Sequence, residues 1–240
     1  MGSNKGKITH VLKKFWHFVW EEDSLASWIV NVILAFLIIR FLIYPGLSVA
    51  FGTELPIVAV VSGSMEHDIV QDGILRNRLC GKEFPEEKDL DFNEYWETCG
   101  SWYEQGYNFS KENFSKFPFK DGFNKGDIML LKSGNKPESV KAGDVIVFQS
   151  IHNTPPIIHR VVEIHKQEIN RESEKYEYSF TTKGDHNEKT YKEIGEDSID
   201  ESRYIGKAFL RVPYLGWIKI SAMCGLNVIK GNSFIHCMNS

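Results

Sequence analysis

Residues 157–164 read Ile-Ile-His-Arg-Val-Val-Glu-Ile, an apolar run rich in β-branched side chains that is typical of a buried strand. Further along, Tyr176, Tyr178, Phe180 and Thr182 alternate with polar residues, which is the period-two pattern of a strand. Four more apolar runs are residues 56–61, 127–131, 144–148 and 204–212. Gly-Asp pairs, which favour turns, border several runs, and no amphipathic helix of about twelve residues separates them. The sequence therefore predicts a mainly β, antiparallel domain.

The composition narrows the class of protein. The chain has 240 residues, of which 42% are hydrophobic and 25% are charged, so most of it is expected to fold. A mean hydropathy of −0.28 argues against a polytopic membrane protein. The net charge is −4, so no nucleic-acid partner is expected. The four cysteines have no Cys-x-x-Cys spacing, so neither a metal site nor another cofactor is predicted.

Residues 25–44 have the pattern of a transmembrane anchor. They contain one charge, Arg40, and a helix of this length crosses a hydrocarbon core of about 30 Å. Pro45-Gly46 is expected to end the helix. Lysines precede the anchor and neither Lys nor Arg occurs at 41–75, which predicts a cytoplasmic N-terminus and an extracytoplasmic main domain. The alternatives are a buried core helix and a cleaved signal peptide, since Ser48-Val49-Ala50 has the small residues of a cleavage site.

The anchor divides the chain into four predicted parts. Residues 1–24 contain four lysines and apolar residues at helical spacing, which fits an interfacial amphipathic helix or an ordinary surface helix. The anchor at 25–44 is followed by the β domain at 45–217. The longest uncharged stretch of the tail at 218–240 is ten residues, too short to span a membrane, so a loose peripheral segment is predicted.

Residues 74–124 differ in kind and are interpreted as an insert in the β domain. Ten of the 28 residues from Phe92 to Phe119 are aromatic, against 13% in the whole chain. Aromatic side chains at this density must pack on something. A small satellite core and a lid or membrane-facing lobe are both open interpretations.

The meaning of two features of the insert depends on whether the insert lies inside or outside the cytoplasm. Cys80 and Cys99 could form a disulfide outside the cytoplasm, or both could be free thiols. Asn108 and Asn113 each begin an Asn-x-Ser sequon, which has meaning only on the extracytoplasmic side.

Two places carry candidate chemistry. Ser64 lies in Ser-Gly-Ser-Met-Glu at 62–66, directly after an apolar run, where Gly63 permits a tight turn that exposes the hydroxyl. Serine is a poor nucleophile unless a base lies beside it. His159 lies within an apolar strand, where it is either a satisfied core residue or that base. A carboxylate would orient the imidazole, and Asp185 ends the next predicted strand.

Five short motifs together resemble one protein family. They occur in the order Ser-Gly-Ser-Met-Glu (62–66), Gly-Asp-Val-Ile-Val-Phe (143–148), Ile-His-Arg-Val-Val (158–162), Thr-Lys-Gly-Asp (182–185) and Pro-Tyr-Leu-Gly (213–216). This order after an N-terminal anchor resembles type I signal peptidases. It is most similar to the archaeal and endoplasmic-reticulum branch, because His159 stands where the bacterial branch has lysine. The resemblance covers about residues 25–217.

The resemblance implies a membrane-bound serine endopeptidase that removes signal peptides from secreted preproteins and cuts after small residues. Ser64 would be the nucleophile and His159 the base. The backbone N–H of Ser64 and the Ser62 hydroxyl would hold the oxyanion. The implied partners are preproteins and the lipid bilayer, with the secretion translocon as a further candidate. The implied location is the cell membrane as a single-pass protein, or the endoplasmic-reticulum membrane in a eukaryote.

Departures from the family pattern leave the third catalytic residue open. His67 stands where most members have proline, and Tyr191 stands where the family usually has a second aspartate. Asp185 is the predicted acid, because it ends a strand that a short connection joins to the His159 strand. Asp197 and Asp200 are the alternatives, and would require a local insertion.

A non-enzymatic function is the main alternative. Tyr191 in place of the family's aspartate could mark an inactive membrane-anchored paralogue that acts as a binding or assembly subunit. A soluble self-cleaving repressor-type peptidase is disfavoured by the anchor and by His159 in place of lysine.

Overall fold

The computed structural model describes residues 3–71, 76–152, 155–170, 175–218, 220 and 221. The chain divides into a helical unit that ends at Ala50 and a β-rich unit that begins at Phe51. The predicted peripheral tail from residue 218 onward lies almost entirely outside the described residues.

The N-terminal unit consists of helices. These are α1 (Ser3–Trp20), α2 (Leu25–Ile38), a π-helical turn (Ile39–Ile43) and α3 (Tyr44–Phe51), whose last residue is the first of the β-rich unit. Together Leu25–Phe51 form an apolar helix of 27 residues with a mean hydropathy of 2.3 over its best window, long enough to cross a membrane. The predicted N-terminal helix of membrane-spanning length is therefore present.

The polar residues at the start of α2 bind the end of α1. Ser27 Oγ donates a hydrogen bond to Phe18 O at 2.7 Å, and Asn31 Nδ2 donates to Val19 O at 2.8 Å. The last carbonyls of a helix have no partner within that helix. Asn31 therefore completes the C-terminus of α1, which explains an amide within an otherwise apolar stretch.

The apolar helix continues past Pro45-Gly46, contrary to the prediction. Proline lacks an N–H, and its ring presses on the carbonyl four residues earlier, which usually breaks or kinks a helix. Here the wider π turn lies just before Pro45, and Tyr44 N–H donates to Ile39 O, five residues back. This local widening accommodates the ring and allows the helix to reach Phe51.

The β-rich unit contains a seven-stranded and a three-stranded sheet, whose strand pairs are antiparallel, so the predicted fold class is confirmed. The strands are β1 (Ile57–Ala59), β2 (Val70–Gln71), β3 (Asn77–Leu79), β4 (Lys82–Phe84), β5 (Ile128–Lys132), β6 (Val145–Phe148), β7 (Ile157–Asn170), β8 (Lys175–Lys183), β9 (Ile199–Asp200) and β10 (Tyr204–Val212). The large sheet has the order β1-β5-β10-β6-β7-β8-β9, and the small sheet has the order β2-β3-β4.

Strand β6 lies between two hydrophobic clusters. Val145 and Val147 belong to one, and Ile146 and Phe148 belong to the other. Burial on both faces explains why this strand is a continuous apolar run. In the pairing of β6 with β7, His159 lies opposite Ile146. His159 therefore points to the Ile146 side of the sheet, while its neighbours along β7 point to the other side.

The insert forms an aromatic core of its own. Its main helix, α4 (Phe92–Tyr107), begins with a capping box between Asp91 and Glu94, and α5 (Lys111–Phe114) follows. The buried members of the cluster are Ile69, Leu79, Cys80, Tyr95, Trp96, Cys99, Tyr103, Phe114 and Val162. Because Val162 belongs to β7, the insert packs against the main sheet. Of the two open interpretations, this arrangement corresponds to the small satellite core.

The cysteines and sequons of the insert have defined positions. Cys80 and Cys99 form a disulfide, with their Cα atoms 5.7 Å apart. Asn108 and Asn113 are both exposed. A disulfide is typical of proteins outside the reducing cytoplasm.

Candidate active site

Ser64 lies in a turn that follows β1. The amide of Glu66 donates to Gly63 O at 3.0 Å and closes the turn, and the amide of His186 donates to Ser64 O at 2.9 Å. The side chain of Met65 is fully buried in the hydrophobic core. The turn is thus fixed on both sides of Ser64, which itself remains partly exposed.

Ser62 lies beside the candidate nucleophile. The two hydroxyl oxygens, Ser62 Oγ and Ser64 Oγ, are 3.2 Å apart at the protein surface. A hydroxyl at this distance reaches the region where a substrate carbonyl would meet Ser64. The arrangement is compatible with the oxyanion role predicted for Ser62.

His159 is buried on β7 with a carboxylate on one ring nitrogen. Its Nδ1 lies 2.5 Å from Oε2 of Glu196, and 3% of His159 and none of Glu196 is exposed. The second oxygen of Glu196 accepts a hydrogen bond from Tyr191 N at 2.5 Å, and Thr182 Oγ1 lies 3.4 Å from the first. The carboxylate is therefore held in one position, and it orients the imidazole.

The other ring nitrogen of His159, Nε2, and the backbone of Ser64 both lie close to Gly184. A Cβ built on Gly184 would lie 2.9 Å from His159 Nε2, 2.8 Å from Ser64 O and 2.5 Å from Asn187 Nδ2. All three distances are shorter than real Cβ contacts. The absence of a side chain at Gly184 thus leaves the space toward which both the Ser64 carbonyl oxygen and the His159 ring extend. The sequence does not predict Gly184 or Asn187 as members of the site.

The carboxylate of Asp185 faces Arg160, and not His159 as predicted. It accepts hydrogen bonds from Arg160 Nε at 2.9 Å and Nη2 at 2.7 Å, from His67 Nε2 at 2.9 Å and from Tyr103 OH at 2.8 Å. Adjacent residues of a strand point to opposite faces. The side chain of Arg160 therefore lies on the face of the sheet opposite His159. The carboxylate of Asp185 binds Arg160 and lies on that same face.

The charges around Asp185 are fully buried and paired. Burial alone would raise the pKa of Asp185, but the Arg160 guanidinium and hydrogen bonds from His67 and Arg160 outweigh this effect and hold its pKa well below the usual range. Burial lowers the pKa of His67, whose ring stacks on Tyr95 with centroids 3.5 Å apart. His67 thus packs into the interior as part of the Asp185 network.

Lys183 is a second buried charge next to the site. Its Nζ donates to Gly184 O at 3.1 Å and lies 4.7 Å from the centre of the Tyr103 ring. Burial lowers the pKa of Lys183 to about 8, opposed by the negative charges of Asp185 and Glu196. The sequence predicts no role for this lysine, although it lies in the Thr-Lys-Gly-Asp motif at 182–185.

The segment after residue 194 runs back along β8 and brings Glu196 to the site. Glu196 O accepts from Thr182 N at 2.8 Å, and Asp197 O accepts from Thr181 Oγ1 at 2.8 Å. Asp200, the other predicted alternative, caps a local turn, and a hydrogen bond from Ser202 lowers its pKa. The sequence predicts an aspartate as the acid and a solvated loop in this segment, so it does not identify Glu196.

The described part of the chain also bears on cofactors. Among its residues, no group of three or more His, Cys, Asp or Glu side chains is placed to hold a metal ion.

Comparison with known proteins gives a consistent set of relatives, although no protein-family model matches the chain. It is 26% identical to the signal peptidase complex catalytic subunit SEC11C of Homo sapiens over 183 residues, 75% of this chain and 63% of that protein. It is 33% identical to SEC11 of Ogataea parapolymorpha over 105 residues, 41% of this chain and 58% of the relative. It is 23% identical to sec11 of Sclerotinia sclerotiorum over 206 residues, 85% of this chain and 84% of the relative. The chain thus spans less than two thirds of the SEC11C proteins.

Proposed function

We propose that this chain, a homologue of the signal peptidase complex catalytic subunits, is a membrane-bound serine endopeptidase that removes signal peptides from preproteins. The relatives confirm the family that the five motifs suggested. The proposal rests on one observation above all. His159 has the Glu196 carboxylate on Nδ1, and its Nε2 meets the Ser64 backbone across Gly184.

The first chemical step is acylation of Ser64. As Ser64 Oγ attacks the carbonyl carbon of the scissile bond, Nε2 of His159 takes the hydroxyl proton. Glu196 accepts the Nδ1–H hydrogen bond, which keeps the tautomer with a free lone pair on Nε2 and stabilises the imidazolium that forms. The carboxylate is buried, so its interaction with the imidazolium is weakly screened by water.

The remaining steps use the same groups. The Ser64 N–H and the Ser62 hydroxyl hold the oxyanion of the tetrahedral intermediate, and the imidazolium of His159 gives its proton to the leaving amine. The signal peptide then remains as an ester on Ser64. Water attacks the ester, with His159 again as base, and the second tetrahedral intermediate collapses to release the signal peptide and the free serine.

Glu196 also bears on the alternative of an inactive paralogue. That alternative rested on Tyr191 at the position of the family's aspartate. In this chain the backbone N–H of Tyr191 binds Glu196, and the Glu196 side chain occupies the place beside His159. A carboxylate is thus supplied from a different sequence position, which favours the enzyme over the paralogue.

We further propose that the Leu25–Phe51 helix anchors the chain in the membrane and that the β-rich unit is extracytoplasmic. The lysines before the helix support this orientation. The Cys80–Cys99 disulfide and the exposed sequon asparagines fit an oxidising compartment, which in a eukaryote is the endoplasmic reticulum. The bilayer and preproteins are then its partners, and the secretion translocon is a candidate.

Cleavage of a preprotein by the full chain in liposomes tests this function. We expect a cut after a small residue, identified by the mass of the two products. A preprotein with a large aromatic residue directly before the cut should remain intact, because the family resemblance implies shallow pockets that accept only small side chains there. Equal cleavage of both preproteins, or an intact small-residue preprotein, would contradict the proposed specificity.

Gly184→Ala should lower the cleavage rate of the folded protein about tenfold or more, because the new methyl group collides with the Ser64 carbonyl oxygen and with His159 Nε2 and displaces them. Gly106→Ala is the matched control, since a Cβ on Gly106 meets nothing within 4 Å. Initial rates of both variants, with circular dichroism to establish folding, check this prediction. If folded Gly184→Ala cleaved the preprotein as fast as Gly106→Ala, the proposed importance of the space at Gly184 for Ser64 and His159 would be contradicted.

A further inference from the structure

The insert helix α4 carries a row of side chains at a spacing of four residues. The row consists of Tyr95, Cys99, Tyr103 and Tyr107. Residues four apart lie on the same face of an α-helix. The first three are fully or almost fully buried, and Tyr107 is half-buried. This row is therefore the face that α4 turns to the rest of the β-rich unit.

The first part of the row binds Asp185, directly after Gly184. Tyr95 OH donates to Asp185 O at 2.9 Å, and Tyr103 OH donates to Asp185 Oδ1 at 2.8 Å. Both hydroxyls are inaccessible to water. If Asp185 moved away, neither hydroxyl could bind a water molecule instead, and an unpaired buried hydroxyl costs free energy. The two tyrosines thus fix the backbone at Asp185, directly after Gly184, which lies close to both Ser64 and His159.

The remainder of the row binds the segment further along, up to residue 190. Cys99 is linked by the disulfide to Cys80, whose N–H donates to His186 O at 2.9 Å. Tyr107 OH lies 2.8 Å from Thr190 Oγ1. The three tyrosines of the row therefore contact the segment 185–190 directly, and Cys99 is connected to it through its disulfide partner Cys80.

The far end of that segment determines where Glu196 lies. Thr190 Oγ1 donates to Thr182 O at 2.8 Å, so the hydroxyl of Tyr107 is the donor in its contact with Thr190. The next residue, Tyr191, donates its backbone N–H to Glu196 Oε1 at 2.5 Å. A continuous path of hydrogen bonds and one peptide unit thus joins Tyr107 to the Glu196 carboxylate.

We propose that α4 is a positioning element of the active site, in which the Tyr107 hydroxyl sets Glu196 against His159 through Thr190 and Tyr191. This inference rests on the proposed function. In this proposal the insert contributes to catalysis indirectly, because it holds residues of the active site in position. Tyr107 is a positioning residue, since it acts only through other groups.

Tyr107→Phe removes the hydroxyl and keeps the ring. We expect kcat for preprotein cleavage to fall about three- to tenfold, with KM changed less than about twofold, because one neutral hydrogen bond is lost away from the substrate. We also expect the acid limb of the kcat–pH profile to move to lower pH. A displaced carboxylate stabilises the imidazolium of His159 less.

The partner of Tyr107 provides a second variant. Thr190→Val should reproduce the effects of Tyr107→Phe, and Thr190→Ser, which keeps a hydroxyl, should restore most of the rate. In the Tyr107→Phe/Thr190→Val double variant, the loss should be smaller than the product of the two single losses, because both changes break the same path. Tyr176→Phe is the control, since Tyr176 is exposed on β8 and its ring contacts Lys166.

The outcomes separate this inference from the proposed function. Unchanged kcat in Tyr107→Phe, or a loss that only matches a lower folded fraction with the pH profile unmoved, would overturn the inference while wild-type cleavage continued. Multiplicative losses in the double variant would do the same. Absence of Ser64-dependent cleavage by the wild type would overturn the proposed function, and the inference with it.

Discussion

His159→Ala is expected to reduce preprotein cleavage by about 10⁴-fold or more, close to the background rate. Serine cannot attack an amide at neutral pH without a base, and the His159 ring is the imidazole that meets the Ser64 turn at Gly184. His159→Lys should fail as well, because a lysine base needs a pocket that lowers its pKa, and this position binds the Glu196 carboxylate. Single-turnover rates of the full chain in liposomes measure both losses.

His67→Ala is the matched control, since His67 lies three residues after Ser64 but points into the Asp185 network. We expect its activity per folded molecule to fall modestly, and its thermal midpoint to fall because a buried hydrogen bond and the stacking on Tyr95 are lost. Retained activity in His159→Ala together with a full loss in His67→Ala would reverse the assignment of the base.

Glu196→Gln is expected to lower the cleavage rate by about 10²- to 10⁴-fold while the protein stays folded. A glutamine can present its NH₂ group to Nδ1, which places the proton on Nε2 and leaves no lone pair for the Ser64 proton. Asp197→Asn and Asp200→Asn should stay near the wild-type rate, because Asp200 caps a turn and Asp197 uses its backbone oxygen. A near-normal rate in Glu196→Gln with a large loss in either control would assign the acid to an aspartate.

Asp185→Asn should act mainly on stability. It leaves the buried Arg160 guanidinium without its countercharge, which typically costs about 3–5 kcal/mol of unfolding free energy. The pKa of Asp185 is lower in the folded than in the unfolded chain, so its contribution is complete above the unfolded value of about 3.9 and is lost as the pH falls below it. Denaturant unfolding of the two proteins should therefore differ at pH 7 and converge in acid. An equal stability of both proteins at pH 7 would contradict this structural role.

The strands follow from local patterns, which explains why the sequence predicts them well. The run predicted at 204–212 is β10 (Tyr204–Val212), and the alternation at 176–182 falls within β8 (Lys175–Lys183). Period-two alternation and β-branched runs report burial on one or both faces of a strand, and neither requires knowledge of distant contacts. Ser64 and His159 were identified in the same way, as a serine after a strand and a histidine within one.

The third residue of the site was not predictable by the same means. Asp185 is near His159 in the strand pairing, but which side of the sheet its side chain faces depends on Arg160 and on the buried tyrosines of the insert. Glu196 reaches His159 only because its segment returns along β8, a path that no local pattern specifies. The helix through Pro45 is a similar case, since the π turn before it depends on backbone geometry.

The most direct measurement is single-turnover cleavage of one preprotein by the full chain in liposomes, compared between the wild type and Ser64→Ala. Ser64→Ala removes the attacking oxygen and leaves the buried His159–Glu196 pair and the membrane helix in place. We expect the wild type to release two products whose masses define one cut after a small residue, and Ser64→Ala to release neither at a measurable rate. Cleavage at the same bond by folded Ser64→Ala at the wild-type rate would show that Ser64 is not the nucleophile.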